Sequence, residues 1–375
     1  MKSSALKNGL ESALILALVM GFGRFAYTAL YPYMVTDGVL SVAQGSWVAS
    51  ANYVGYLVGA LFAVRIKADK SNIFALIALI GTSVCLGLMS VLTGGMAIGG
   101  VRFLAGVFSA LGIVSASMWL LAKQKHTTAT PLMYAGVGLG IALSSQLVVW
   151  GVDAGIDSSG LWLWLSGLAV ALSLLVLHGL FLQKPTDNPQ ANNAFIITPK
   201  LTAKALIALY GLAGFGYIIT ATYLPLLAKM VLPDVNVGHI WAVFGLSAVP
   251  SCFVWHSIHK HFGTRTALTA NMMTQVVGVL LSVIMPNLLG YGLSALLVGG
   301  AFMGTVTLVM PVAQAISKES GKNLIALVTV SYSMGQIVAP LMAGGLYGVS
   351  QSFVPALIMA TVALVTGAWI AYQKA

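Results

Sequence analysis

The chain has 375 residues, of which 59% are hydrophobic and 7% are charged, with a formal net charge of +10. Soluble domains carry roughly 25% charged residues, so this composition excludes a soluble globular protein and indicates a membrane protein. A helix of about 20 apolar residues crosses a bilayer. The sequence predicts twelve such helices, at 12–35, 46–66, 73–93, 96–121, 131–152, 161–182, 202–228, 240–259, 266–286, 289–316, 323–347 and 353–372. It shows no period-2 alternation of the outer-membrane type, so we predict an all-α membrane protein.

The positive charge is unevenly placed along the chain. Lys and Arg concentrate in alternate connections, from Lys2 and Lys7 at one end to Lys374 at the other, whereas the intervening connections hold Asp37 and Asp153. Cytoplasmic loops are enriched in Lys and Arg. We therefore predict a multi-pass membrane protein with both termini in the cytoplasm, in contact with membrane lipids. The basic excess is a topology signal and not a nucleic-acid footprint.

The sequence lacks the residue patterns of an enzyme or an ATP-driven pump. No Ser-His-Asp set, Cys-His set, carboxylate pair or phosphate-binding glycine loop falls at membrane depth. The histidines at 256, 259 and 261 have no Cys or carboxylate beside them to complete a metal site. Cys85 and Cys252 lie inside predicted spans and are interpreted as apolar packing residues. We expect no enzymatic activity, no cofactor and no metal, and a monomeric protein.

An internal repeat divides the chain. Gly21-Phe22-Gly23 precedes Pro32 at the same spacing at which Gly214-Phe215-Gly216 precedes Pro225. A repeat of six helices starts on the same side of the membrane each time, so the halves are parallel. The predicted domains are an N-terminal six-helix half at 1–182, a polar cytoplasmic linker at 183–200 and a C-terminal six-helix half at 201–375.

Two motifs carry a family resemblance. The stretch from Gly21 to Pro32, together with Trp47 to Gly59, resembles the YbfB/YjiJ branch of the major facilitator superfamily. The resemblance implies a secondary transporter of the bacterial inner membrane that works by alternating access. Helices 1, 4, 7 and 10 would surround a central cavity, with helices 2, 5, 8 and 11 beside them. Arg102-x-x-x-Gly106 in the fourth span also resembles a superfamily motif linked with proton coupling in drug antiporters.

The family's cytoplasmic signature loops are degenerate in this chain. After the second span, Asp69 and Lys70 keep an acid beside a base but lose the glycine, and after the eighth span Gly263 and Arg265 remain without the acid. The resemblance implies that these two loops lock the inward gate electrostatically.

Two arginines interrupt apolar runs. Arg24 lies near the middle of the first span and Arg102 lies within the fourth, and no Asp or Glu is predicted at comparable depth. A guanidinium in hydrocarbon costs several kcal/mol, so it is expected to face a wet or protein-lined interior and to bind an anion. A carboxylate matches the planar guanidinium fork. Arg102 has two open interpretations: it binds solute, or its stem snorkels to the interface.

Polar and aromatic residues of the inner helices complete the candidate site. We predict substrate contacts from Arg24, Tyr27, Tyr31, Asn52, Tyr56, Arg102, Gln146, Tyr217, Tyr223, Gln314, Tyr332 and Gln336. Each amide or tyrosine could instead bridge helices. The predicted function is transport of a small organic anion, with a proton or a counter-anion as the coupled partner. One alternative is a multidrug-type efflux antiporter, which would need an acidic cavity residue. Another is a non-transporting receptor, which would need a sizeable soluble domain.

Overall fold

The computed structural model describes residues 3–182, 201–320 and 324–374. These residues are helical and contain no strand. Ten of the helices are long and apolar enough to cross a membrane. The chain is therefore a multi-pass, all-α membrane protein, as the composition predicted. The predicted linker at 183–200 lies outside the described residues.

The first span is longer and less regular than predicted. It begins at Ser3 and not at residue 12, so Glu11 lies inside it. Three segments make up this span: α1, a π-helical segment and α2. The helices of this part of the chain are α1 (Ser3–Leu16), the π segment (Ala17–Phe25), α2 (Ala26–Thr36), α3 (Val42–Ala63), α4 (Ser71–Met89), α5 (Gly95–Met118), α6 (Thr130–Asp153) and α7 (Ser158–Leu182).

The later helices follow after residue 201. They are α8 (Ala203–Val231), α9 (Gly238–Ile284), α10 (Leu288–Ser320), α11 (Leu324–Ser350) and α12 (Val354–Lys374). At 47 residues, α9 covers both the eighth and the ninth predicted span. Gly263 interrupts it with φ 80° and ψ 171°, a conformation that glycine adopts without a Cβ clash. The 22-residue α3 is not among the ten apolar helices. The count of twelve spans stays a prediction.

The described chain forms two compact units. The first contains the residues up to Leu182 together with Asn236–Val249, and the second contains the others. We call Asn236–Val249, which includes the first part of α9, the docking segment. The structure packs this segment within the first unit, and the division into two six-helix halves stays a prediction. The packing depends on glycine, because a Cβ on Gly245 would lie 2.5 Å from the backbone nitrogen of Ala142 in α6.

Small residues also bring α3 and α5 together. A Cβ on Gly55 would lie 1.9 Å from the carbonyl oxygen of Phe103, and one on Gly106 would lie 2.0 Å from that of Asn52. Only glycine permits such an approach of two helix backbones, which is a common packing mode inside membranes. This contact places the polar residues of α3 beside Arg102.

Candidate functional site

Arg24 lies in the π segment, surrounded by aromatic rings. Its side chain is 3% exposed. The guanidinium carbon is 4.2 Å from the ring centroid of Tyr56, 5.0 Å from that of Tyr53 and 5.4 Å from that of Phe25. The faces of these rings carry partial negative charge, so they attract the cation. These three rings form an aromatic cage around the guanidinium, within the first span.

Arg102 of α5 contacts the same segment in a different way. Its two terminal nitrogens donate to the carbonyl oxygens of Gly23 and Arg24, at 2.8 and 2.9 Å. Its side chain is also 3% exposed, so it does not snorkel to an interface. Asn52 of α3 donates from Nδ2 to the carbonyl oxygen of Arg102 itself, at 2.8 Å. The second arginine thus ties α5 to the backbone that carries the first.

Other side chains bind further carbonyls of the π segment. Ser109 donates to Val19 at 2.6 Å, Ser144 donates to Gly21 at 3.5 Å, and Trp241 Nε1 donates to Phe25 at 3.1 Å. A change between π and α pitch displaces carbonyls from their regular amide partners, and side-chain donors can satisfy them. Single π-helical turns are frequent at functional sites. Here α5, α6 and the docking segment hold the π segment in place.

The two predicted tyrosines of α2 bind the start of the α3 region. Tyr27 donates its hydroxyl to the Gly45 carbonyl at 3.0 Å, and Tyr31 donates to that of Val42 at 2.7 Å. Their rings stack at 5.3 Å, and the guanidinium carbon of Arg102 lies 4.7 Å from the centroid of the Tyr27 ring. Tyr27 is therefore close to the arginine pair, while both hydroxyls connect helices.

A second aromatic cluster lies in the second unit. Gln336 of α11 and Tyr217 of α8 are joined by a hydrogen bond from the Gln336 amide to the Tyr217 hydroxyl. The Tyr217 ring stacks on Tyr332 at 5.7 Å and on Phe302 at 5.0 Å. Tyr223 donates to the Pro340 carbonyl at 3.1 Å. The structure thus brings Tyr217, Tyr332 and Gln336 together.

The remaining predicted residues are more exposed. Gln146 on α6 is partly exposed and Gln314 on α10 is exposed. Sequence reasoning missed Tyr53, although it lies three residues before Tyr56 and so shares a helix face with it. It also missed the contact of Trp241, for which the sequence contains no signal of a partner.

The signature-loop residues lie on exposed turns. Asp69 and Lys70 are exposed in a short 3₁₀ turn, Ala68–Lys70. Lys123 at the end of the fourth span donates to the Asp69 carbonyl at 3.3 Å and to Asn72 Oδ1 at 3.0 Å. In the second unit, the guanidinium carbon of Arg265 lies 4.1 Å from the ring centroid of Tyr372 in α12. These contacts anchor each loop within its own unit.

The region around the two arginines is strongly positive. The π segment, α2, α3, α4 and α5 contain no Asp or Glu. Glu11 lies in α1, 13 residues before Arg24 in the sequence, which corresponds to about 20 Å along a helix. No group of His, Cys, Asp and Glu able to hold a metal ion occurs among the described residues. The chemistry of this region is therefore suited to a small anion.

Comparison with known proteins identifies the family. The family described as "Uncharacterised MFS-type transporter YbfB" matches residues 16–372. The chain belongs to this transporter family. No curated protein sequence matches it. The chain is therefore an MFS-type transporter and not an enzyme.

Two solved transporter structures share the fold. One is a bacterial homologue of the human lysosomal transporter Spinster, crystallised in an inward-facing and occupied conformation. It superposes with a TM-score of 0.72 at 11% identity, over 98% of this chain and 96% of that one. A mutant of the nucleoside transporter NupG superposes with a TM-score of 0.72 at 16% identity, over 98% and 99%. At these identities the likeness concerns the fold alone.

Proposed function

We propose that this MFS transporter carries a small organic anion whose carboxylate is bound by Arg24. The observation that supports this is a buried guanidinium in an aromatic cage, in a cluster of helices without Asp or Glu. A buried cation is costly unless a negative group accompanies it. A substrate carboxylate supplies that group each time the site is filled.

The two arginines have different roles in this proposal. The terminal nitrogens of Arg102 are engaged by the Gly23 and Arg24 carbonyls. Arg102 therefore holds the backbone, and its charge adds to the positive potential. The Arg24 guanidinium lies beside the rings of Tyr53 and Tyr56, and these rings provide an apolar wall for the rest of the solute. We infer that the solute combines a carboxylate with an apolar or aromatic group.

Transport itself would follow alternating access between two six-helix halves, as the family resemblance implies. A neutral solute coupled to a proton would need a titratable carboxylate near the site, and the π segment and helices α2 to α5 contain none. We therefore propose that the transporter exchanges one anion for another, or that a proton crosses the membrane bound to the substrate.

A ligand screen by thermal shift tests the proposed function. Benzoate and other carboxylates with an apolar group should raise the melting temperature of the purified transporter, because a ligand that binds only the folded state stabilises it by mass action. Benzamide, which has nearly the same shape without the charge, is the matched control and should have no effect at equal concentration. Equal stabilisation by benzoate and benzamide, or by neither across the panel, would argue against an anion site.

A topology experiment tests the proposed orientation. Because basic residues concentrate in alternate loops, a reporter fused after Lys374 should be cytoplasmic, and one inserted beside Asp153 should be external. Paired alkaline phosphatase and fluorescent-protein fusions report the two sides. Finding both sites on one side of the membrane would contradict the twelve-span topology, in which an odd number of spans separates them.

A further inference from the structure

The docking segment makes an unusual contact with the π segment. The Trp241 side chain is fully buried, at 0% exposure. Its indole nitrogen donates to the carbonyl oxygen of Phe25, at 3.1 Å. Its ring stacks on Phe244 at 4.3 Å between centroids and lies 6.5 Å from the Phe25 ring. Phe25 follows Arg24 directly, so this bond acts on the backbone that aims the guanidinium.

Three consecutive carbonyls are thus bound by side chains from two different elements. Arg102 of α5 donates to the carbonyls of Gly23 and Arg24, and Trp241 donates to the carbonyl of Phe25. All three are at the end of the π segment. A shift of the docking segment would release the third carbonyl and change the local helical pitch, and the direction of the Arg24 side chain depends on that pitch.

A polar network holds the other end of the docking segment. Tyr33 of α2 donates its hydroxyl to Asn236 Oδ1 at 2.9 Å. The Asn236 amide donates to Asp153 Oδ1 at 3.0 Å and to the Val149 carbonyl at 3.4 Å. The segment is therefore held by the polar network at Asn236 and by the Trp241 bond, and the Trp241 bond acts directly on the π segment.

We propose that Trp241 is a positioning residue: its indole N–H couples docking of the Asn236–Val249 segment to the affinity of Arg24 for its anion. The proposal rests on the proposed function at Arg24. In this arrangement a bound anion stabilises the docked segment, and loss of docking weakens anion binding, because coupling between two equilibria is reciprocal.

Phenylalanine at position 241 removes the N–H and keeps an aromatic ring against Phe244. The matched control is Trp255→Phe, because Trp255 lies on the same helix and donates an equivalent bond, 2.8 Å to the Gly300 carbonyl, within the second unit. Docking is read from a cysteine at the buried position 237, as Val237→Cys, in purified protein with Cys85 and Cys252 replaced by alanine. The rate of maleimide labelling reports how often the segment opens.

Trp241→Phe should raise the labelling rate about three- to tenfold, the range expected for one interhelical hydrogen bond. Trp255→Phe should leave the rate unchanged. Equal rates in the two variants would overturn the proposal. This comparison needs no ligand, so a rise in Trp241→Phe supports the docking contact even if no carboxylate binds and the proposed function fails.

The coupling is tested with benzoate. Benzoate should slow labelling in the protein with Trp241 and lose most of this effect in Trp241→Phe. Tyr33→Phe separates docking from positioning, because it loosens the polar network and leaves the indole bond in place. It should raise labelling while benzoate still protects the segment. If benzoate protects Trp241→Phe as fully as it protects the protein with Trp241, the coupling role is wrong.

Discussion

Arg24→Gln should nearly abolish binding of carboxylates while the transporter still inserts and folds. The substitution removes the cation and the planar fork that pairs with a carboxylate. Loss of one partner of a buried charge pair costs about 2–5 kcal/mol, which is about thirtyfold to several thousandfold in affinity. The melting temperature of the empty protein should change little, because the desolvation cost of the buried guanidinium disappears together with its contacts to the rings.

Arg24→Lys is the matched variant for this experiment. It keeps the charge and loses the bidentate geometry, so carboxylate binding should weaken by about tenfold, to a level between the original protein and Arg24→Gln. Benzoate-induced thermal shift and direct calorimetry measure both variants. A destabilised Arg24→Gln that still binds benzoate normally would show that Arg24 is a structural residue, and the proposed function would be wrong.

Arg102→Gln should have the opposite profile, a large loss of stability. The glutamine side chain is too short to bind both carbonyls that Arg102 now contacts at 2.8 and 2.9 Å. Hydrogen bonds from charged donors contribute about 1.5–3 kcal/mol each, and the carbonyls left behind are buried. We expect a net loss of about 2–4 kcal/mol, after allowing for relief of the buried charge.

Arg24→Gln is the internal control, since it makes the same chemical change in the π segment that Arg102→Gln makes in α5. Thermal or denaturant unfolding of the two variants in the same detergent gives the comparison. A stable Arg102→Gln, with binding lost as in Arg24→Gln, would assign both arginines to the solute and contradict the division of roles.

The class of protein and its family were accessible from the sequence. A run of about 20 apolar residues is a local property, and only a helix satisfies its backbone in lipid, so membrane spans can be predicted without tertiary information. The cost of a charge in hydrocarbon is local too, which is why Arg24 and Arg102 were identified as unusual. The sequence could not distinguish them, because each is a lone arginine in an apolar helix.

Tertiary structure decided what each arginine contacts. The groups that each guanidinium contacts depend on which helices are adjacent, and Gly55, Gly106 and Gly245 determine that adjacency through backbone contact. The π segment likewise has no periodicity signal, since its extra residue per turn is stabilised by donors from α5, α6 and Trp241. The sequence by itself determined a helical MFS transporter with two buried cations. Only the packing decided that Arg102 donates to backbone carbonyls, that Arg24 lies near the rings of Tyr53 and Tyr56 and that the docking segment belongs to the first unit, because these contacts join residues far apart in the chain.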